Sequence, residues 1–84
     1  MAKYVIESPH TKEECLEAME EAVKTGMIDK CVFGCQFGDH TGWAYVEADS
    51  KAKALENVPS FIRGKANAYE VRKYTAEEVK AAHH

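Results

Sequence analysis

Strand and helix patterns alternate along the 84 residues in an order that few folds share. Residues 3–7, KYVIE, are rich in β-branched and aromatic side chains, which predicts a strand. A helix is predicted from Thr11, which can form a capping box with Glu14, to Gly26, a residue typical of helix ends. Apolar residues recur along this helix at spacings of three and four, which predicts that they share its buried face. They are Cys15, Leu16, Met19, Ala22 and Val23.

The second half of the chain predicts a hairpin, a helix, a strand and a short terminal helix. These elements cover residues 30–37 and 42–48 for the hairpin strands, 50–64 for the helix, 67–75 for the last strand and 75–82 for the terminal helix. The turn of the hairpin is GDHT, and Pro59 is expected to interrupt the helix.

The complete order is therefore β-α-β-β-α-β with a short C-terminal helix, which is the ferredoxin-like, or split βαβ, arrangement. This order predicts an α+β fold, in which a four-stranded antiparallel sheet carries two helices on one face. No internal linker or repeat divides the chain, so residues 1–84 are expected to form a single domain.

Composition excludes several classes of function. The formal net charge is −3 and the basic residues are scattered, so binding to nucleic acid is not expected. There is no apolar run long enough to span a bilayer and no secretory signal at the N-terminus, which predicts no membrane association. An odd number of cysteines, three, is more typical of a reducing compartment than of a disulfide framework, which predicts a cytoplasmic location. No cofactor is indicated.

Cys31 and Cys35 have a spacing that raises the question of a metal or disulfide. If both lie on one extended strand, their Cα atoms are about 13 Å apart, since each residue adds roughly 3.3 Å. A disulfide needs Cα atoms within about 7 Å, and two thiolates on one zinc must be closer still. We therefore expect neither a disulfide nor a metal shared by this pair, and we expect the three cysteines to pack as small hydrophobic residues.

The two hairpin strands are apolar on both faces, whereas a sheet with one solvated face should alternate apolar and polar residues. The face away from the helices is predicted to carry Val32, Gln36, Trp43 and Tyr45. A chain this short can cover that face only with another chain, which predicts a homodimer. The same face could bind a small organic ligand through Trp43, Tyr45 and Gln36, with His40 at the turn.

The stretch GMIDKCVFGCQFGDHTGWAYVEADSKAKALENVPSF resembles the dimeric α+β-barrel superfamily, and within it the muconolactone-isomerase-like members and related small domains of unassigned function. The shared features are a glycine after the first helix, a hairpin with a glycine-bearing turn, the EADS entry to the second helix and VPSF near its end. The resemblance implies the fold and dimerisation. It assigns no catalytic residue.

Three hypotheses about function follow. The first is a homodimer that binds a small organic ligand. The second is a cofactor-free enzyme of the isomerase or oxygenase type, with His40 or His10 as the acid–base group. The third is a metal-binding protein that uses its four histidines as ligands. These are His10, His40, His83 and His84. The sequence does not decide whether the protein is an enzyme.

Overall fold

A computed structural model describes residues 1–82 and contains four strands and four helices. The strands are β1 (Ala2–Pro9), β2 (Cys31–Phe33), β3 (Thr41–Ala48) and β4 (Asn67–Val71). The helices are α1 (Cys15–Thr25), α2 (Lys51–Leu55), α3 (Ser60–Arg63) and α4 (Ala76–Ala82). His83 and His84 lie outside the described residues.

The four strands form one antiparallel sheet in the order β2-β3-β1-β4. Strand β1 pairs with β3 over its whole length, from Ala2 opposite Ala48 to Pro9 opposite Thr41. The α+β class and the four-stranded antiparallel sheet predicted from the sequence are confirmed. Strand β1 is longer than predicted and β4 is shorter.

The helices bury one face of the sheet. The core consists of Tyr4, Ile6, Ala18, Ala22, Met27, Ala44, Val46, Ala48, Ala54, Val58, Ile62 and Ala68. Helix α1 contributes Ala18 and Ala22, whose small side chains let the helix lie close to the sheet. The predicted apolar face of this helix was partly wrong, because Leu16 and Val23 are 69% and 62% exposed.

Pro59 divides the second helical region into α2 and α3, as predicted. The hydroxyl of Ser50 accepts a hydrogen bond of 3.1 Å from the backbone N–H of Lys53, so Ser50 is the N-cap of α2. The side chain of Arg63 donates a 2.8 Å hydrogen bond to the Val58 carbonyl. This contact satisfies a carbonyl that the interrupted helix leaves free.

The first hairpin strand was predicted too long. Strand β2 ends at Phe33, and Cys35–Phe37 form one turn of 3-10 helix. The turn forms because the Gly34 carbonyl accepts hydrogen bonds from the N–H groups of Phe37, at 2.9 Å, and Asp39, at 3.1 Å. Gly38 then reverses the chain at φ +93°, a backbone conformation that favours glycine.

The register of the hairpin differs accordingly. Cys31 lies opposite Ala44 in the sheet and packs partly against the core, whereas Cys35 has left the sheet. The prediction that Cys31 and Cys35 share one extended strand was therefore wrong. Because Cys35 is not on the strand, the separation of about 13 Å expected for an extended chain does not apply to it.

The chain beyond β4 forms the predicted terminal helix. Thr75 and Glu78 make a capping box at the start of α4, with hydrogen bonds of 3.1 Å in both directions. Across residues 1–82, no helix combines the length and the apolar character needed to cross a membrane.

Candidate metal centre

Four side chains of types that ligate transition metals meet at one end of the sheet. One ligand atom from each of them lies within 4.8 Å of the corresponding atoms of the others. The four are His10, Cys15, Cys35 and His40. They come from three separate segments: the end of β1 with the start of α1, the 3-10 turn after β2, and the residue before β3.

The pairing of β1 with β3 places the two histidines side by side. Pro9 and Thr41 are the last paired residues of the ladder, and His10 and His40 follow directly beyond them. The backbone N–H of His10 donates a 2.9 Å hydrogen bond to the His40 carbonyl, which continues the strand pairing by one more bond. The two imidazole rings meet edge to face with their centroids 6.3 Å apart.

Cys15 is positioned by the capping box that precedes α1. The backbone N–H of Thr11 donates to the Glu14 carboxylate at 2.8 Å, and the N–H of Glu14 donates to the Thr11 hydroxyl at 3.2 Å. The ammonium of Lys65 lies 2.7 Å from the same carboxylate. The hydrogen bond from Lys65, followed by that from Thr11, lowers the pKa of Glu14 to about 2. Cys15 lies on the helix stripe of Ala18 and Ala22, so it faces the sheet.

Cys35 is positioned by the closed turn between β2 and β3. The N–H of Gly34 donates to the Thr41 carbonyl at 3.1 Å, and the Thr41 hydroxyl donates to the Asp39 carboxylate at 2.7 Å. A Cβ atom on Gly34 would lie only 2.8 Å from the Asp39 carbonyl oxygen. The turn therefore closes tightly only with glycine at this position, and it directs Cys35 towards His10.

His10 has the orientation that a metal ligand needs. Its side chain is 7% exposed, and its Nδ1 lies 3.2 Å from the Ser8 carbonyl oxygen. A carbonyl can only accept a hydrogen bond, so this contact requires the proton to be on Nδ1. Nε2 then presents a lone pair, and it faces the sulfur of Cys35 at 3.2 Å. A backbone carbonyl that fixes the tautomer in this way is a common outer-shell partner of metal-bound histidine.

His40 contains a polar atom that the fold leaves unsatisfied. Its Nδ1 is buried and has no hydrogen-bond partner within residues 1–82. Burying such an atom without a partner costs about 1–3 kcal/mol. A metal ion bound at this nitrogen would supply the missing interaction.

The thiol of Cys35 is protonated when no metal is bound. Desolvation, followed by hydrogen bonding to Cys15, raises the pKa of Cys35 to about 11. Nε2 of His10, 3.2 Å from this sulfur, is a second possible acceptor for its single S–H proton. A metal ion would replace this proton, because the thiolate is the form that binds metal.

The geometry of the cluster fits a tetrahedral zinc ion. With Zn–N near 2.0 Å and Zn–S near 2.3 Å, ligand atoms in a tetrahedral site are about 3.3–3.8 Å apart. The distance from His10 Nε2 to Cys35 Sγ is 3.2 Å, and the upper limit within the cluster is 4.8 Å. Side-chain movements of about 1 Å would close the site. Two thiolates also balance the charge of Zn²⁺, which suits a half-buried position.

The residues predicted for an organic ligand lie in different parts of the molecule. Trp43 and Tyr45 are on β3 and point away from the helices, Gln36 is exposed in the 3-10 turn, and His40 belongs to the metal cluster. Trp43 borders a cavity of about 40 Å³ that also reaches His10. Pockets for small organic molecules are typically ≈ 300–1,000 Å³, so this cavity is too small for one. The organic-ligand site stays a prediction.

The sequence did contain a signal for the cluster. Four residues separate His10 from Cys15, and four separate Cys35 from His40, so the pattern H-x4-C recurs in reverse order as C-x4-H. The sequence-based hypotheses grouped cysteines with cysteines and histidines with histidines, and so missed this mixed pattern. Cys31 lies outside the cluster, and burial raises the pKa of its thiol.

Comparisons of the chain with protein-family models, with curated protein sequences and with solved structures found no match. Function is therefore inferred from the geometry of the site and not from relatives.

Replacing Gly34 by alanine should disrupt the turn that carries Cys35. The added Cβ would lie 2.8 Å from the Asp39 carbonyl oxygen and 3.2 Å from the indole of Trp43. We expect Gly34→Ala to lower the free energy of unfolding by about 1–3 kcal/mol, as overpacking commonly does. Urea denaturation of the metal-free protein measures this loss.

The matched control is Gly64→Ala. A Cβ atom at Gly64 meets nothing within 4 Å, and the backbone there is helical with φ −64°. This variant should keep or slightly raise the free energy of unfolding, by up to about 1 kcal/mol. Equal losses in both variants would contradict the close packing assigned to Gly34.

Proposed function

We propose that the protein binds one Zn²⁺ ion through His10, Cys15, Cys35 and His40. The observation that carries this proposal is the convergence of one ligand atom from each of these residues to within 4.8 Å. Two further observations support it: Nδ1 of His10 lies beside the Ser8 carbonyl, which leaves Nε2 to face the cluster, and Nδ1 of His40 is buried without a partner in residues 1–82. A purely hydrogen-bonded cluster would leave that nitrogen unsatisfied.

The ligand set favours zinc over other divalent metals. Two thiolates and two imidazoles in tetrahedral geometry are typical of zinc, whereas Cu²⁺ and Ni²⁺ prefer square-planar or tetragonal sites. Carboxylate-rich sites, which suit Mg²⁺ and Ca²⁺, differ from this one in every ligand. No carboxylate belongs to the cluster found within residues 1–82.

A site with four protein ligands is suited to holding the metal and not to catalysis. Catalytic zinc sites keep one position for water or substrate, and this cluster fills all four with side chains. The ion would join the end of β1, the start of α1 and the turn after β2. A domain of this size has a limited core, so such a cross-link would contribute to its stability.

Zinc titration of the whole chain tests this proposal. We expect one Zn²⁺ per chain, measured by competition with a chromophoric chelator and by metal analysis after gel filtration. Cys15→Ser and Cys35→Ser should each weaken zinc binding at least tenfold, because each removes one thiolate ligand. Cys31→Ser is the matched control and should bind zinc as the wild type does, since Cys31 lies outside the cluster.

A chain that ends at Ala82 separates this proposal from the hypothesis of a histidine-only site. If His83 and His84 were ligands, the shortened chain would lose its zinc. The proposed site predicts unchanged stoichiometry and affinity. The proposal is wrong if the wild type takes up no zinc, or if Cys15→Ser and Cys35→Ser bind it unchanged.

We also propose that the protein is a ferredoxin-like homodimer of the dimeric α+β-barrel type. The element order β-α-β-β-α-β supports the fold, as does the strand order, which is β4-β1-β3-β2 when read from the other edge. The exposed Val32, Tyr45 and Tyr69 on the sheet face opposite the helices support the dimer, and Lys3, Glu7 and Glu47 share this face. A location in the cytoplasm is part of this proposal, and the three unpaired cysteines support it.

The open sheet face carries two rows of large side chains. Val5 lies between Tyr45 on β3 and Tyr69 on β4, and Trp43 lies opposite Val32 on β2. Val32, Tyr45 and Tyr69 are 66%, 42% and 50% exposed. Aromatic residues are enriched at the centres of protein–protein interfaces, so a second copy of this chain is a suitable cover.

Sedimentation equilibrium tests the dimer. We expect a mass twice the 9.4 kDa of one chain, and Trp43→Ala should weaken association by about 2 kcal/mol, the size expected of an interface hot spot. Val23→Ala is the control, because Val23 is an exposed apolar residue of α1, on the helical side of the sheet. A monomer at micromolar concentrations would overturn the dimer and leave the zinc proposal standing.

Two alternatives have less support than the zinc site. One is binding of an organic ligand at Trp43, Tyr45 and Gln36, and the other is an isomerase or oxygenase activity. The enzyme alternative uses His10 or His40 as the acid–base group. A zinc ion on the same two imidazoles would occupy the nitrogens that this chemistry needs. Zinc binding and acid–base catalysis by these residues are therefore competing proposals, and the geometry favours zinc.

A further inference from the structure

The two cysteines of the cluster are partly exposed. His10 is 7% exposed, whereas Cys15, Cys35 and His40 are half-buried. The site is therefore not sealed from solvent on the side of the cysteines. Thiolates are also the components of such a centre that oxidants attack.

The same two sulfurs are close enough to react with each other. They lie within 4.8 Å, and a disulfide bond is about 2.05 Å long. Closing the gap requires a movement of less than about 3 Å, which rotation about the side-chain bonds and a small shift of the turn can supply. Cys35 sits in a one-turn 3-10 segment outside the strands, so rotation of its side chain leaves the strand pairing in place.

We propose that the centre is a redox-controlled zinc site, in which a hydroperoxide joins Cys15 to Cys35 as a disulfide and releases the metal. The inference rests on the zinc site proposed above and adds its regulation. Oxidation would remove both thiolate ligands together. Two imidazoles would remain, and they form a much weaker zinc site than the complete set of four ligands.

The reaction balances with hydrogen peroxide as the oxidant. One thiolate attacks the peroxide, the O–O bond breaks, and a sulfenic acid and hydroxide are formed. The second thiolate attacks the sulfenic sulfur, the S–S bond forms and a second hydroxide leaves. Two protons convert the hydroxides to water. In sum, the two thiolates lose two electrons, the peroxide gains them, and Zn²⁺ departs without a change in its oxidation state.

Cys31 does not take part in this chemistry. It lies on the helix side of β2 and packs partly against the core. Its position opposite Ala44 keeps it in the sheet, outside the cluster. The protein therefore contains its own internal control, a cysteine that should stay reduced while the other two react.

The test uses the full chain loaded with zinc and treated with hydrogen peroxide in slight excess. A metallochromic dye follows release of the metal, and non-reducing peptide mapping by mass spectrometry identifies the cysteines that are joined. We expect one zinc ion released per chain, a Cys15–Cys35 linkage, and one thiol left free. A dithiol reductant should then restore zinc binding.

Cys31→Ser should release zinc at the same rate as the wild type and leave no free thiol after oxidation. Three outcomes would overturn the redox proposal while the zinc site stands: peroxide leaves the zinc in place, the linkage joins Cys31 to another cysteine, or the thiols pass to sulfinic acid without a disulfide. If the untreated chain takes up no zinc, the zinc site itself is wrong and the redox proposal is overturned with it.

Discussion

The antiparallel pairing of β1 with β3 is the interaction on which the rest of the structure depends. It runs over eight residue pairs at the centre of the sheet, and both strands supply core side chains to the face beneath the helices. Ile6 and Ala44 are paired in this ladder and both are buried. Because each side chain's face follows from this register, a slip of one residue would expose the core.

The same ladder determines where the two histidines lie. His10 and His40 are the residues just beyond its last pair, and the hydrogen bond between their backbones extends it. The cluster is thus built on the most extensively paired part of the fold. The two cysteines come from segments packed around that end: Cys15 through the capped start of α1, and Cys35 through the turn closed by Gly34. A site assembled in this way needs little rearrangement to bind an ion.

Local signals in the sequence were enough to predict most of the elements. The capping box at Thr11 and the break at Pro59 occur as predicted, because each depends on hydrogen bonds or sterics within a few residues. The strand predicted for residues 30–37 was too long. Val32 and Phe33 favour a strand, and no local signal showed that the strand would end before Gly34.

The candidate site was harder to predict, because it depends on contacts between distant segments. Leu16 and Val23 were predicted to belong to the buried face of α1, but both are exposed. The buried face consists of the small residues Ala18 and Ala22, and Cys15 lies on the same side of the helix. The proximity of His10 to His40 follows from strand register, and register is a property of the whole sheet. The matching spacings of His10 to Cys15 and of Cys35 to His40 are visible in the sequence. Only the fold shows that these two pairs lie together.

X-ray absorption spectroscopy of the zinc-loaded protein tests the central claim most directly, because it reports the ligands of the metal themselves. The geometry of His10, Cys15, Cys35 and His40 predicts two sulfur ligands at about 2.3 Å and two imidazole nitrogens at about 2.0–2.1 Å. A first shell made only of nitrogen and oxygen, or one that contains a single sulfur, would contradict the assignment.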